Sequence, residues 1–186
     1  PGWWGVNRGL IYWDDGQDGR IVYTSGSYIY AVDALTGKSE KTFGENGKVD
    51  LRKNLGRPYN EMIVIANTPG VVYDNILIQG SRVHEGPGAS PGHIRAYDLN
   101  TGELVWRFNT IPHPGEYGYE TWPKDAWKHM GGANSWAGMT LDESTGIAYI
   151  PTGSASYDFW GGNRSGENLF ANSLIALNAK NGERIW

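Results

Sequence analysis

A hairpin pattern recurs three times along this chain, and the recurrence restricts its fold more than any other property of the sequence. Each copy contains a short apolar strand, an Asp or Asn, a turn that ends in Gly, and a second strand. The Asp or Asn side chain can accept hydrogen bonds from its own turn, and the Gly supplies the positive φ that such a turn needs. The three copies are YAVDALTGKSEKTF (30–43), RAYDLNTGELVWRF (95–108) and IALNAKNGERIW (175–186).

The spacing of the copies predicts small sheets joined by long loops. The turn positions Asp33, Asp98 and Asn178 are separated by 65 and 80 residues, whereas a bare four-stranded propeller blade needs about 40–45. Further stretches with strand character are RIVYTS (20–25), GVVYDNILIQG (70–80), WAGMTLD (136–142) and GIAYIPTG (146–153).

Helical periodicity is almost absent from the sequence. No stretch of more than about ten residues has a 3.6-residue period free of Gly and Pro, and one helical turn is expected around KDAWKHM (124–130). We therefore predict an all-β chain that forms about three β-propeller blades. Because so few blades cannot close a ring, we expect residues 1–186 to be one segment of a larger propeller, with the remaining blades outside it.

Composition supports the β prediction and excludes several classes of function. The chain has 27 Gly, 9 Trp and 11 Tyr but only 4 Phe, which is typical of a turn-rich β protein. Its formal net charge is −4 and no Lys/Arg cluster is present, so a nucleic-acid partner is not expected. There is no Cys, which excludes disulfides, thiolate metal sites and a Cys nucleophile. No apolar run approaches the roughly 18 residues of a membrane-spanning helix.

Trp136 follows a run of small residues in GGANSW (131–136). Glycine allows the backbone to approach a ligand closely, so this indole is a candidate floor for a flat ligand. Packing between blades is the alternative. The four His have no metal-ligand spacing, and GPGASPG (86–92) lacks the Lys-Ser/Thr of a phosphate loop.

Several of these stretches together resemble the quinoprotein dehydrogenases, which are eight-bladed propellers that carry pyrroloquinoline quinone (PQQ) and a calcium ion. The resemblance covers essentially the whole chain. It implies that the hairpin repeat is a tryptophan-docking motif, in which a Trp of one blade packs against the next. The stretches that carry it, besides the repeat, are VNRGLIYW (6–13), NTPGVVYDNILIQGSRVHEG (67–86), TWPKDAWKHMGGANSW (121–136) and DFWGGNR (158–164).

The resemblance implies a set of PQQ-binding residues. Trp136 matches the indole beneath the cofactor rings, and Arg8 matches an arginine that meets the cofactor's carboxylates. Arg82 is a second cationic candidate. Trp3 or Trp4 stands where methanol-oxidising members have adjacent cysteines, so Trp4 is expected on the second face of PQQ. The remaining candidates are the hydroxyls of Thr68 and Ser81 and the loop residues Gly132, Ala133, Asn134 and Ser135.

The resemblance also implies a metal site and indicates where the chain departs from the family. Glu85 matches the calcium-binding carboxylate, and oxygen ligands suit that ion. Ser154 stands where alcohol-oxidising members have a second ligand, an Asn, so the site is expected to use something downstream as well. The family's Asp base belongs to a stretch beyond Trp186, and Asp158 is not in a matching place. No catalytic residue is therefore predicted within the chain.

These matches favour part of a PQQ- and Ca²⁺-dependent dehydrogenase of the glucose dehydrogenase branch. We expect a sugar or polyol substrate, a quinone or cytochrome electron acceptor, and a periplasmic location with a possible membrane anchor in the full-length protein. An alcohol dehydrogenase of the same family is one alternative. A non-catalytic propeller scaffold is the other, although a scaffold has no need for VNRGL, GGANSW or WGGNR in its loops.

Overall fold

A computed structural model describes residues 6–186, and its regular structure is almost entirely β. Three single-turn 3₁₀ helices accompany the strands, at Tyr59–Glu61, Tyr119–Thr121 and Ala126–Lys128. The last of these lies in the segment where a helical turn was predicted. The strands are β1 (Ile11–Asp14), β2 (Gly19–Ser25), β3 (Tyr28–Asp33), β4 (Lys48–Asp50), β5 (Val64–Ile65), β6 (Val71–Tyr73), β7 (Ile76–Gln79), β8 (Arg82–Val83), β9 (Ile94–Asp98), β10 (Leu104–Phe108), β11 (Thr140–Asp142), β12 (Ile147–Pro151) and β13 (Leu174–Asn178).

The strands form three antiparallel sheets and one short ribbon. The first sheet has the order β1-β2-β3-β4, the second β6-β7-β9-β10 and the third β11-β12-β13. The ribbon pairs β5 with β8. Neighbours in each sheet are close in sequence, which is the meander expected of propeller blades. The all-β propeller prediction is confirmed, while the number of blades in a complete ring stays a prediction.

The repeated turns fold as their sequences predict. The Asp98 carboxylate accepts hydrogen bonds from the backbone N–H groups of Asn100 and Thr101, both at 2.8 Å. Asp33 and Asn178 cap their own turns in the same way. Gly102 and Gly182 both have a φ of +74°, a conformation that costs other residues free energy.

The second sheet is buried on both faces, because side chains that alternate along a strand point to opposite neighbours. Leu77 and Tyr97 pack into the core shared with the first sheet. Ile78 and Ala96 pack into the core shared with the third. The near-continuous apolar character of β7 and β9 is thus explained by burial between two sheets.

A β-bulge directs Trp106 towards the third sheet. Tyr97 pairs with Leu104 and Ala96 with Trp106, so Val105 is an extra residue in β10. Without it, Leu104 and Trp106 would share a face. Instead Leu104 packs against the first core and Trp106 lies in the second.

Trp106 joins the second and third sheets as the tryptophan-docking pattern predicts. Its indole Nε1 donates a hydrogen bond to the carbonyl of Ala179 at 3.0 Å. A Cβ at Gly182 would lie 2.6 Å from the indole ring, so the turn can approach the ring only as glycine. In the first copy the position of the Trp is occupied by Lys41, and Phe43, two residues further on, is fully buried.

The predicted strand at 136–142 is shorter than expected. β11 begins only at Thr140, because Gly138 has a φ of +112°, outside the range of a regular strand. Trp136 is therefore in a loop. In the described part of the chain, no helix has both the length and the apolar character needed to cross a membrane.

Replacing Trp106 by Ala should destabilise the protein strongly. The change empties a buried indole site between two sheets and leaves the Ala179 carbonyl without its donor, so we expect a loss of about 3–5 kcal/mol in the free energy of unfolding. Denaturant unfolding of the full-length protein measures it. Phe159→Ala, at a side chain that is 97% exposed, is the control and should change stability by less than about 0.5 kcal/mol. Equal effects would contradict the docking role.

Candidate functional site

Loops at one end of the sheets enclose a pocket of about 210 Å³. Five parts of the chain meet there: the segment before β1, the loop after β5, β8 with the loop that follows it, the loop before β11, and the loop after β12. Six of the predicted site residues line this pocket: Arg8, Arg82, Glu85, Asn134, Trp136 and Ser154. Six further residues complete the lining: Asn67, Val83, His84, Gly153, Ser156 and Asp158.

The backbone of residues 131–134 ties this pocket together. The N–H of Ala133 donates to the Ser154 carbonyl at 2.7 Å, and the N–H of Gly153 donates to the Asn134 carbonyl at 2.9 Å. The N–H of Ser156 donates to the Gly131 carbonyl at 3.0 Å. These bonds hold the loop after β12 beside the loop that carries Trp136.

Gly132 and Ala133 lie outside the lining of this pocket, and their approach to a ligand stays a prediction. Ala133 is fully buried. Gly132 has a φ of +77°, and a Cβ there would lie 2.6 Å from the Ser156 nitrogen. The small residues thus serve close packing of protein backbone on protein backbone.

Trp136 has the exposure of a ligand platform. It is 52% exposed, whereas the docking residue Trp106 is 8% exposed. Its indole lies beside Gly153, and its carbonyl accepts a hydrogen bond from Thr68 Oγ1 at 2.8 Å. An indole held by its backbone with an open face is suited to stacking on a flat ring.

The predicted hydroxyl groups lie in a small adjoining cleft. Thr68, Ser81 and Ser135 line this cleft, and Asn67, Arg82 and Trp136 line both it and the main pocket. Ser81 Oγ and Ser135 Oγ are buried and have no hydrogen-bond partner within residues 6–186. They remain candidates for polar contacts to a ligand that extends past the indole.

Asn134 joins two walls of the pocket. Its side chain is buried, and Nδ2 donates a hydrogen bond to the Ser81 carbonyl at 2.8 Å. Since a carbonyl can only accept, this bond fixes which end of the amide is nitrogen. The bond links the loop that carries Trp136 to the residue immediately before Arg82.

The pocket contains charges of both signs. Arg8 is held near it by a bond from its backbone N–H to the Asn67 carbonyl at 2.8 Å, and Arg82 projects from the ribbon. Glu85 and Asp158 supply two carboxylates. Burial raises the pKa of Asp158 and the negative charge of Glu85 raises it further, while Arg164 opposes the rise.

Asp158 is the pocket residue of most chemical interest that the sequence analysis did not assign. DFWGGNR is one of the family-like stretches, but no pattern in the sequence indicates that its first residue lines the same pocket as Glu85. Asn67 and Ser156 were likewise not singled out. Trp4, predicted to cover the second face of the cofactor, lies outside the described residues.

The family of the chain follows from its match to known proteins. The domain described as "PQQ: Glucose/ethanol/alcohol dehydrogenase, beta-propeller domain" matches residues 4–186. The chain belongs to this family. The matched residues include both the docking turns and the pocket lined by the exposed Trp136.

Curated relatives and solved structures agree with this assignment. The chain is 34% identical to quinate/shikimate dehydrogenase (quinone) of Acinetobacter baylyi, over 90% of this chain and 21% of that protein. It is 35% identical to quinoprotein glucose dehydrogenase A of Acinetobacter calcoaceticus, over 91% and 20%. The quinohemoprotein alcohol dehydrogenase of Comamonas testosteroni superposes with a TM-score of 0.74 at 25% identity, over 97% of this chain and 27% of that one. The chain therefore spans about a fifth of the length of these curated relatives.

The donor chemistry of the pocket fits the family's cofactor. Guanidinium groups can bond carboxylates in two places, so Arg8 and Arg82 suit an anionic ring system above Trp136. Within the described residues, no group of three or more His, Cys, Asp or Glu could hold a metal ion. A cation beside Glu85 would therefore need oxygen donors of other types, including those of the cofactor.

Replacing Asn134 by Ala tests the link between the two walls. The change leaves the buried Ser81 carbonyl without its donor, so the free energy of unfolding should fall by about 1–3 kcal/mol. Denaturant unfolding of the full-length protein measures this effect. Asn181→Ala is the matched control, because the Asn181 amide bonds only Glu183 at an exposed turn; it should have an effect below about 0.5 kcal/mol. Equal effects would show that the buried bond is not important.

Proposed function

We propose that this chain forms part of a PQQ- and Ca²⁺-dependent dehydrogenase that oxidises a hydroxyl group of a sugar or polyol. The observation that carries the proposal is the convergence, in one pocket, of an exposed indole, two guanidinium groups and two carboxylates. Packing between blades does not explain these exposed groups, because the indole that packs between the sheets is the buried Trp106 and not Trp136.

Each lining residue has a role in this proposal. Trp136 supports one face of PQQ, while Arg8 and Arg82 pair with its carboxylates. Glu85 binds Ca²⁺, and Ser154 offers an oxygen where alcohol-oxidising relatives have an amide. When bound, PQQ takes up two electrons from the hydroxyl-bearing carbon of the substrate, and the metal acts as a Lewis acid.

In this proposal, the residues of this chain orient the cofactor and do not transfer the substrate's proton. The backbone bonds of residues 131–134 hold the indole and the loop after β12 in fixed relation, which pre-organises the cofactor site. The base that removes the hydroxyl proton is proposed to lie beyond Trp186. Electrons would then pass to a quinone or cytochrome, and the periplasm, with a possible membrane anchor, is the proposed location.

A sugar or polyol is favoured by the DFWGGNR and GASPGHIRAYD stretches, which resemble the glucose dehydrogenase branch. The similarity to quinoprotein glucose dehydrogenase A is in agreement. An alcohol is the second candidate, because the quinohemoprotein alcohol dehydrogenases share the fold over 97% of this chain.

Turnover by the full-length protein, reconstituted with PQQ and Ca²⁺, tests the proposal. Aldoses, polyols and short alcohols are compared in a dye-linked oxidation assay. Oxidation of aldoses or polyols is expected. Oxidation of short alcohols alone would show that the substrate is an alcohol and not a sugar or polyol. Failure of the protein to bind PQQ would favour the scaffold alternative.

Trp136→Ala should weaken PQQ binding by about 5- to 150-fold, because a stacked ring contributes roughly 1–3 kcal/mol. Fluorescence titration of the metal-loaded protein with PQQ measures it. Tyr12→Ala is the control, since Tyr12 is 60% exposed and does not line the pocket. If both variants bind PQQ as the unaltered protein does, Trp136 is not the floor of the site.

A further inference from the structure

The stretch YDFWGGNR (157–164) folds back on itself and has no assigned purpose. The N–H of Arg164 donates to the Gly161 carbonyl at 3.1 Å, and its Nη2 donates to the Tyr157 carbonyl at 3.1 Å. Its Nη1 donates to Asn168 Oδ1 at 3.2 Å. The guanidinium thus closes the base of this loop by bonding its first residue.

This fold-back places Asp158 in the pocket. Asp158 immediately follows the carbonyl that Arg164 holds, and it lines the same cavity as Glu85. Phe159 is 97% exposed, so the loop turns outward directly after the carboxylate. Asp158 is therefore at the one point where this loop and the pocket meet.

Neither carboxylate has a cationic partner of its own. Within residues 6–186, no Lys, Arg or His nitrogen forms an ion pair with Glu85 or Asp158, although four ion pairs occur elsewhere. Two unpaired carboxylates in one pocket repel each other. A bound cation would relieve that repulsion.

A buried amide in the same pocket provides an independent indication of a ligand. Asn134 is 9% exposed, and its Nδ2 is used by the Ser81 carbonyl. No donor within residues 6–186 reaches its Oδ1, and the residue lines the cavity with the two carboxylates. Carboxylate and amide oxygens are the donors that Ca²⁺ prefers.

We propose that Asp158 is a second carboxylate ligand, together with Glu85, for the cation held beside the cofactor. This inference rests on the proposed function. Asp158 then supplies a further oxygen downstream of Ser154, and Arg164 is a positioning residue that holds the ligand loop. A site with two carboxylates should also favour a trivalent cation of similar size over Ca²⁺, because each unit of charge interacts with both anions.

The test is calorimetric titration of the full-length, PQQ-loaded, metal-free protein with Ca²⁺. Asp158→Asn keeps the shape of the side chain and removes its charge. We expect it to raise the Kd for Ca²⁺ at least tenfold and to reduce the preference for Tb³⁺ over Ca²⁺, measured by competition. Asp18→Asn removes an equal charge at an exposed position that does not line the pocket, and should leave the Kd within twofold.

The remaining variants separate the possible failures. If Glu85→Gln weakens Ca²⁺ binding tenfold while Asp158→Asn stays within twofold, Asp158 is not a ligand, and the proposed function stands. If neither variant alters the Kd, the cation lies elsewhere, and the metal-binding roles proposed for both Glu85 and Asp158 are overturned. Asp158→Glu retains the carboxylate and should bind Ca²⁺ more tightly than Asp158→Asn. Equal weakening by the two would indicate a folding defect and contradict the ligand role.

Discussion

Contact between neighbouring sheets through the Trp106 indole is the interaction on which the arrangement of this molecule depends. The bulge at Val105 turns Trp106 away from the core that Leu104 enters. The ring then reaches a turn in which only glycine fits, at Gly182. A docked indole thus fixes the third sheet beside the second, and the loops that each sheet contributes to the pocket are positioned accordingly.

The candidate site is a consequence of that placement. Trp136 precedes β11 and Ser154 follows β12, while Arg82 belongs to the ribbon beside the second sheet. Backbone hydrogen bonds between residues 131–134 and 153–156 hold these parts together. Main-chain hydrogen bonds hold these loops in register. The side chains that line the pocket are therefore not needed to hold the loops and can contact a ligand, and they can carry charges of either sign.

Much of the fold could be predicted because its signals are local. The Asp98 turn and its Gly102 act over four residues, and the structure reproduces them. The docking of Trp106 was expected from the same repeat, but the bulge that aims it was not, since a one-residue insertion leaves no mark on an apolar strand. The sequence predicts a strand over residues 136–139, because nothing in it reveals the backbone turn at Gly138.

The pocket was predictable only where resemblance supplied positions. Trp136, Arg8 and Glu85 lie together as expected, whereas Gly132 and Ala133 pack on protein backbone. Small residues allow close approach to any neighbour, and the sequence does not say which neighbour that is.

Residue type and spacing along the chain were enough to establish an all-β propeller segment with docking turns and an indole-bearing loop. Hydrogen bonding and alternation act over a few residues and can therefore be recognised in the sequence. The meeting of Glu85 and Asp158 was decided by tertiary structure alone. These residues are 73 positions apart, and they share a pocket because Arg164 holds one loop closed and the sheets bring it beside the other.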